Sequence, residues 1–293
     1  MKNKPFNSLN DYFVRYFFTD KGGEKVLLDF INAVMISANM KTFKSVEILN
    51  PFNLKKNYSD KETIVDVKCI TKNGTVVIIE VQLSGNSRFP ERILYYWSTN
   101  YSKLLKKGEG YEDLTPVISI NLLNFNLNKK DSNVHSCYMI YDTKNKRLLT
   151  DHLQIHIIEL KKFNFKNNNL SKDLNYWLGF FTTKDMEAYM SDIVKEKPIM
   201  EEAHKRYNNF IRSRLMMSEY EKKEIYQYDK QIMLKDERRE GIKEGMKKGK
   251  LEGLKEGRIA EQISMAKSMK TKNLDINLIS EITGLTIDEI KKL

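Results

Sequence analysis

Cysteine is scarce in this sequence, with only Cys69 and Cys137 among 293 residues. Two cysteines exclude a disulfide framework and a structural zinc site built from several thiolates. Long apolar runs are also missing: the longest uncharged stretch, residues 114–128, is too short to span a bilayer and contains four asparagines. Arg15 interrupts the only apolar run near the N-terminus, which argues against a secretory signal. These absences predict a cytoplasmic protein without a membrane segment.

Nucleotide-binding motifs are absent as well. The sequence has neither a phosphate-cradling P-loop nor a GxGxxG motif, so the use of ATP or a dinucleotide is not indicated. What the sequence has in excess is positive charge, because 50 Lys and Arg residues against 39 Asp and Glu residues give a formal charge of +11. This balance favours a polyanionic partner such as nucleic acid.

The first part of the chain, residues 1–165, has the pattern of a mixed α/β domain. Apolar residues recur at helical spacing up to about residue 40, with a break at Gly22-Gly23. One further helix is predicted at about residues 89–106, with Pro90 in its first turn. Short apolar runs typical of β-strands lie around it, at residues 45–49, 63–71, 76–83, 116–123, 137–141 and 155–160.

Charged side chains interrupt the two apolar strands that flank Asn73-Gly74, and burying such groups unpaired is costly. A solvated face of an amphipathic hairpin is one explanation. The loop length decides whether the two acids, Asp66 and Glu80, meet. A two-residue loop would point them to opposite faces, whereas a three-residue loop with Gly74 left-handed would place them directly opposite each other. In that second register Lys68 lies on the same face, and Gln82 opposes Ile64.

Two opposed carboxylates have Cβ atoms about 5 Å apart. At that separation they repel each other unless one is protonated or a cation bridges them. Carboxylate oxygens with carbonyl and water oxygens suit Mg²⁺ or Mn²⁺. The three-residue loop therefore predicts a divalent-metal site on the hairpin.

Asp66, followed after thirteen residues by Glu80-Val81-Gln82, resembles the metal-binding hairpin of the PD-(D/E)XK nucleases. More closely, the chain resembles the transposase-like, recombination-promoting nuclease family of bacteria. That resemblance implies a restriction-endonuclease-like α/β fold with a four- or five-stranded mixed sheet flanked by helices, and cleavage of DNA by a metal-activated water. It extends over nearly the whole chain, through residues 28–33, 47–50, 95–98, 108–111, 116–118, 158–160 and 282–285.

The resemblance also implies roles for individual residues. Asp66 and Glu80 would hold the divalent ion, and Gln82 stands where the superfamily usually has a catalytic lysine, although this family often shows glutamine. Lys68 or Lys61 are candidates to compensate for that missing cation. An acid on the first helix is often a further metal ligand, and the candidates are Asp11 and Glu24.

Arg88 and Arg92, near the start of the helix after the hairpin, are candidate DNA-phosphate contacts, with a solvated helix end as the alternative. The leading hypothesis is thus a magnesium-dependent DNA endonuclease. The alternative is a catalytically silent module that keeps the fold and binds nucleic acid or protein. A true transposase is disfavoured, because nothing resembles the three-carboxylate integrase-type core.

The C-terminal part divides into three predicted regions. Residues 166–235 are helical, and residues 236–270 form a charged helix or linker in which five glycines recur every fourth residue, from Gly241 to Gly257. Residues 271–293 form a small helical end-cap, with Gly284 ending one helix and a capping box from Thr286 to Glu289 starting the next. The short second helix favours docking or dimerisation over DNA recognition. We therefore predict a homo-oligomer formed through this region.

Overall fold

A computed structural model of the protein describes residues 6–52, 65–85, 88–166 and 168–293. Its strands are β1 (Val46–Ile48), β2 (Val67–Thr71), β3 (Val76–Gln82), β4 (Val117–Leu123), β5 (His135–Tyr141) and β6 (Leu148–Glu159). Its α-helices are α1 (Asp11–Thr19), α2 (Glu24–Ser37), α3 (Phe89–Ser102), α4 (Lys172–Thr182), α5 (Met186–Ile193), α6 (Ile199–Arg212), α7 (Arg214–Thr271), α8 (Ile276–Thr283) and α9 (Ile287–Lys292), and two short 3₁₀ helices span Tyr111–Asp113 and Leu160–Lys162.

The strands form one mixed sheet in the order β1-β2-β3-β4-β6-β5. β3 pairs in parallel with β4, and β4 pairs in parallel with β6, while the other neighbours are antiparallel. The predicted α/β fold class is confirmed. The sheet has six strands rather than four or five, because β1 and β5 extend it at its two edges.

One face of the sheet is covered by an aromatic-rich helical layer. α1 begins at the cap residue Asn10, whose side chain accepts hydrogen bonds from the backbone N–H groups of Tyr12 and Phe13. Gly22, at φ +83°, makes the turn into α2 that the glycine pair predicted. α1, α2, α4 and α6 share a large apolar core with this sheet face, and its biggest fully buried side chain is Trp177.

The opposite sheet face is covered by α3, which connects the parallel strands β3 and β4. α3 ends at Ser102, about one turn earlier than the sequence predicted. The Nε1–H group of Trp97 donates a hydrogen bond of 2.8 Å to the carbonyl oxygen of Val117 and so ties the helix to β4. Because α3 follows β3 directly, its first turns lie beside the C-terminal end of that strand.

The chain divides into two compact units, Met1–Glu224 and Ile225–Leu293. The first unit contains the sheet and the helices α1 to α6. The second contains the C-terminal part of α7 with α8 and α9, which bury Ala266, Ile279 and Ile290 together. The boundaries that the sequence suggested at residues 165, 235 and 270 stay predictions. Among the described helices, none has an apolar stretch of the length that crossing a bilayer requires.

Candidate active site

The β2–β3 turn determines which residues of the hairpin oppose each other. The backbone N–H of Thr71 donates to the carbonyl oxygen of Thr75 at 2.9 Å, which leaves a three-residue loop between them. Gly74 has φ +82°, and a Cβ there would lie 2.8 Å from the Thr115 side chain. The position therefore requires glycine for its backbone conformation and for space. The three-residue loop is confirmed, and the two-residue alternative is wrong.

The resulting register brings the two acids together. Val67 pairs with Ile79, so the next position along the hairpin places Asp66, directly before β2, opposite Glu80. The Asp66 Oδ2 atom accepts a hydrogen bond of 2.8 Å from the backbone N–H of Val81, which fixes the carboxylate against β3. Ile64, the expected partner of Gln82, lies outside the described residues.

The environment of Asp66 disfavours its ionised form. Burial raises the pKa of Asp66 well above its ordinary value, and the negative charges of Asp11 and Glu80 raise it further. The Val81 N–H group and the Arg15 guanidinium act in the opposite direction. Asp66 therefore stays protonated to a higher pH than a solvent-exposed aspartate does. A bound cation would stabilise its charged form.

Glu80 is buried in the middle of the sheet, at 5% exposure, between β2 and β4. Burial raises its pKa from 4.5 to about 7, although the charge of Arg92 and a hydrogen bond from Gln82 lower it. Its neighbour on β4 is Asn121, which is also buried. Two adjacent carboxyl groups with raised pKa values are an unusual combination, and such combinations concentrate at functional sites.

The raised pKa of Glu80 predicts a pH dependence of stability in metal-free protein. Between pH 4.5 and about 7 the folded protein keeps a proton on Glu80 that the unfolded chain releases. Stability therefore falls as pH rises through this window, by at most about 3 kcal/mol from this group. We expect urea unfolding in the presence of EDTA to show a smaller decrease between pH 5 and pH 8 for Glu80→Gln than for the wild type. Parallel pH profiles for the two proteins would contradict the prediction.

Gln82 connects Glu80 to the helix that covers this face. Its Nε2 group donates to the Glu80 Oε2 atom at 3.3 Å, and its Oε1 atom accepts a hydrogen bond from Nη2 of Arg92. Arg92 is thus held inside the site rather than extended toward solvent. The sequence identified Arg92 only as a phosphate contact near a helix start, because the rotation of α3 on the sheet cannot be inferred from one helix alone.

Lys68 and Lys61 are the two candidates for a cation that compensates for the lysine missing at position 82. Lys68 is partly buried on the sheet face that carries Asp66 and Glu80. Burial and the nearby charge of Lys103 lower the pKa of Lys68. The charge of Lys68 is not among the causes that shift the pKa of Asp66 or Glu80. Lys61 lies outside the described residues. The role suggested for either lysine stays a prediction.

The two candidates for a further acidic ligand are separated by the fold. Asp11, the first residue of α1, is close enough for its charge to raise the pKa of Asp66, and it pairs with Lys223 at 3.2 Å. Glu24, at the start of α2, lines a different cavity together with Lys21 and Glu47. The charge of Asp11 therefore acts on Asp66, whereas Glu24 lies at another cavity, but the described residues place no third acid in a common metal site with Asp66 and Glu80, so the choice of a further ligand stays a prediction. Arg15, also on α1, acts on Asp66 but was not a sequence candidate, because it reads as an interruption of an apolar helix.

The remaining DNA-contact candidate, Arg88, precedes α3 and is exposed. Its Nη1 atom lies 3.2 Å from the Glu91 Oε1 atom. Exposed pairs of this kind are weak, and a contact between Arg88 and DNA phosphate stays a prediction. Tyr95, on the same helix, is 61% exposed.

The donor set fits a small divalent ion that keeps several of its waters. Asp66 and Glu80 offer carboxylate oxygens, and Mg²⁺ is commonly bound through one or two carboxylates and water. Among residues 6–52, 65–85, 88–166 and 168–293, no group of three or more His, Cys, Asp or Glu side chains could hold a metal.

Comparison with known proteins connects the chain to a protein family. The family model described as PD-(D/E)XK nuclease family transposase matches residues 8–237, which include the hairpin, α3 and the whole sheet. No curated protein and no solved structure matches the chain.

Proposed function

Because the chain belongs to the PD-(D/E)XK nuclease family transposases, we propose that it is a metal-dependent DNA endonuclease with its active site at Asp66 and Glu80. The observation that supports this most directly is the pair of opposed carboxyl groups, both with raised pKa values, on one face of the β2–β3 hairpin. The formal charge of +11 favours a polyanionic substrate.

In this proposal Asp66 and Glu80 would hold Mg²⁺ or Mn²⁺, and the ion would polarise the scissile phosphate and lower the pKa of a water molecule. The hydrogen bond from the Val81 N–H keeps Asp66 in place, and the one from Gln82 orients Glu80. Hydrolysis joins the water oxygen to phosphorus and breaks one phosphorus–oxygen ester bond. One water proton passes through solvent to the leaving oxygen, so the new ends are a phosphomonoester and a hydroxyl.

Incubation of purified protein with supercoiled plasmid tests the proposal. We expect nicked and then linear DNA with Mg²⁺ or Mn²⁺, and intact plasmid with EDTA. Binding to DNA that weakens steeply with salt, together with intact plasmid under every metal condition, would contradict the nuclease and support the catalytically silent nucleic-acid-binding module.

We also propose that the C-terminal unit forms a homo-oligomer. On α7, residues 228–261 are solvent-exposed throughout, and this stretch includes Ile242, Met246, Leu251, Leu254 and Ile259. A long charged helix that buries nothing of its own has little packing to stabilise it, since most helical stability in proteins comes from a buried face. A second copy is the simplest partner, because Lys and Glu alternate along this helix and can pair between chains.

A truncation after residue 235 tests this role. It keeps the contacts that Tyr220 and Glu224 make with Asn7. We expect a lower oligomer mass in light scattering, with plasmid cleavage retained at higher enzyme concentration. The double variant Gly249→Ala and Gly253→Ala is the matched control for close helix approach. An added Cβ at either glycine meets nothing within 4 Å in the single chain, so alanine should strengthen the helix itself.

Weaker self-association of this alanine variant would place the regularly spaced glycines of α7, Gly241 to Gly257, at the contact between copies. An unchanged mass for both the truncated and the alanine variant would contradict the oligomer proposal.

A further inference from the structure

Hydrolysis of a phosphodiester builds up negative charge on the phosphate, and an active site usually supplies a cation beside it. Among the described residues, the cations whose charge acts on the two acids are Arg15, for Asp66, and Arg92, for Glu80. Arg15 lies on α1, whereas Arg92 lies on α3, the helix that covers the face carrying Glu80. Arg92 is therefore the cation to consider on that face.

Arg92 is fixed in position by its neighbours. The guanidinium carbon lies 5.3 Å from the ring centroid of Phe89 and 5.9 Å from that of Tyr96, one helical turn away on either side. Such cation–π contacts hold an arginine without using its N–H donors. Its Nη2 group donates to Gln82, whose own amide donates to Glu80. The arginine, the glutamine and the carboxylate thus form one connected chain.

A donor of Arg92 remains unused. Its Nε atom is buried and has no hydrogen-bond partner within the described chain. A buried donor without a partner is costly, and native structures rarely keep one without a functional reason. Phosphate oxygens are the acceptors that a guanidinium binds best, because its planar N–H groups match their geometry.

We propose that Arg92 is a catalytic residue that contacts the phosphate under hydrolysis through the donors that Gln82 leaves free, while Gln82 fixes the guanidinium beside Glu80. This inference rests on the proposed nuclease function. It gives the cationic role to α3 instead of to Lys68, and it explains why a neutral glutamine next to Glu80 is compatible with an active site.

The test removes the positive charge from position 92 and then introduces a positive charge at position 82, the position that is hydrogen-bonded to it. Arg92→Gln keeps an amide donor for Gln82 but removes the charge, and we expect it to lower kcat about 100-fold or more. KM should change far less, since the lost interaction is strongest in the transition state. The double variant Gln82→Lys with Arg92→Gln places an ammonium group next to Glu80, and we expect at least a tenfold recovery of kcat over Arg92→Gln. Lys103→Met, at the other end of α3, is the control for general loss of positive charge.

The outcomes separate the two proposals. A wild-type protein without cleavage under any metal overturns the nuclease and this inference together. An active wild type with unchanged kcat in Arg92→Gln overturns the inference alone. Loss of kcat without recovery in the double variant, or loss accompanied by a lower melting temperature, assigns Arg92 a structural role and also overturns it. Arg92→Lys, which keeps the charge, should retain more activity than Arg92→Gln.

Discussion

Plasmid cleavage by Glu80→Gln and by Asp66→Asn is expected to fall at least about 100-fold below the wild-type rate. Loss of an outer-shell partner alone typically costs 10- to 100-fold in metal affinity or activity, and these substitutions remove a ligand charge itself. Both are nearly isosteric and keep an oxygen that can accept the existing hydrogen bond, from Gln82 in one case and from the Val81 N–H in the other. Cleavage rates at saturating Mg²⁺ measure the effect.

The same two variants should be at least as stable as the wild type at pH 8 in EDTA. Each removes a charge that burial disfavours, and at Asp66 the charge is also repelled by Glu80 and Asp11. Loss of activity together with retained or increased stability would separate a damaged site from a damaged fold. Full activity in either variant would exclude that carboxylate as a metal ligand.

The hairpin could be predicted from sequence up to a choice between two registers, because its determinants are local. Asn73-Gly74 allows a two-residue or a three-residue loop; the left-handed Gly74 and the observed pairing select the three-residue loop, and strand alternation then fixes which side chains share a face. The fold class followed from the order of strand-like and helix-like runs together with the family resemblance. The six-strand count did not follow from the resemblance, since edge strands such as β1 and β5 vary without changing the central parallel pairs.

The connections across the site could not be predicted, because they depend on how helices rotate and dock. Arg92 meets Gln82 only because α3 crosses the sheet with that side chain inward. Asp11 and Arg15 act on Asp66 only because α1 packs against the start of β2. In the sequence these residues are indistinguishable from the many other charged residues of a basic chain.

Arg206 is the clearest example of a contact that the sequence could not predict, and its substitution gives the second large expected effect, a loss of stability. This α6 residue is buried, and its guanidinium donates to the backbone carbonyl oxygens of Phe17 at 2.7 Å, Tyr16 and Asp20 at 3.1 Å each, and Lys21 at 3.2 Å. It therefore donates to carbonyl groups at the C-terminal end of α1, where the helix itself supplies few N–H donors and its dipole is negative. The contacts join segments about 190 residues apart, which no local pattern reveals.

We expect Arg206→Met to lower the free energy of unfolding by about 3 kcal/mol, because it removes the charged donor to the carbonyl oxygens of Phe17 and Lys21 and the second donor to those of Tyr16 and Asp20. Arg212→Met, at an exposed position on the same helix, should change stability by no more than about 0.5 kcal/mol. Urea unfolding of the three proteins at one pH measures both values. Since α1 also bears Asp11 and Arg15, loosening its C-terminal end should reduce plasmid cleavage too. Equal stability of Arg206→Met and Arg212→Met would show that α1 is held by its aromatic core instead.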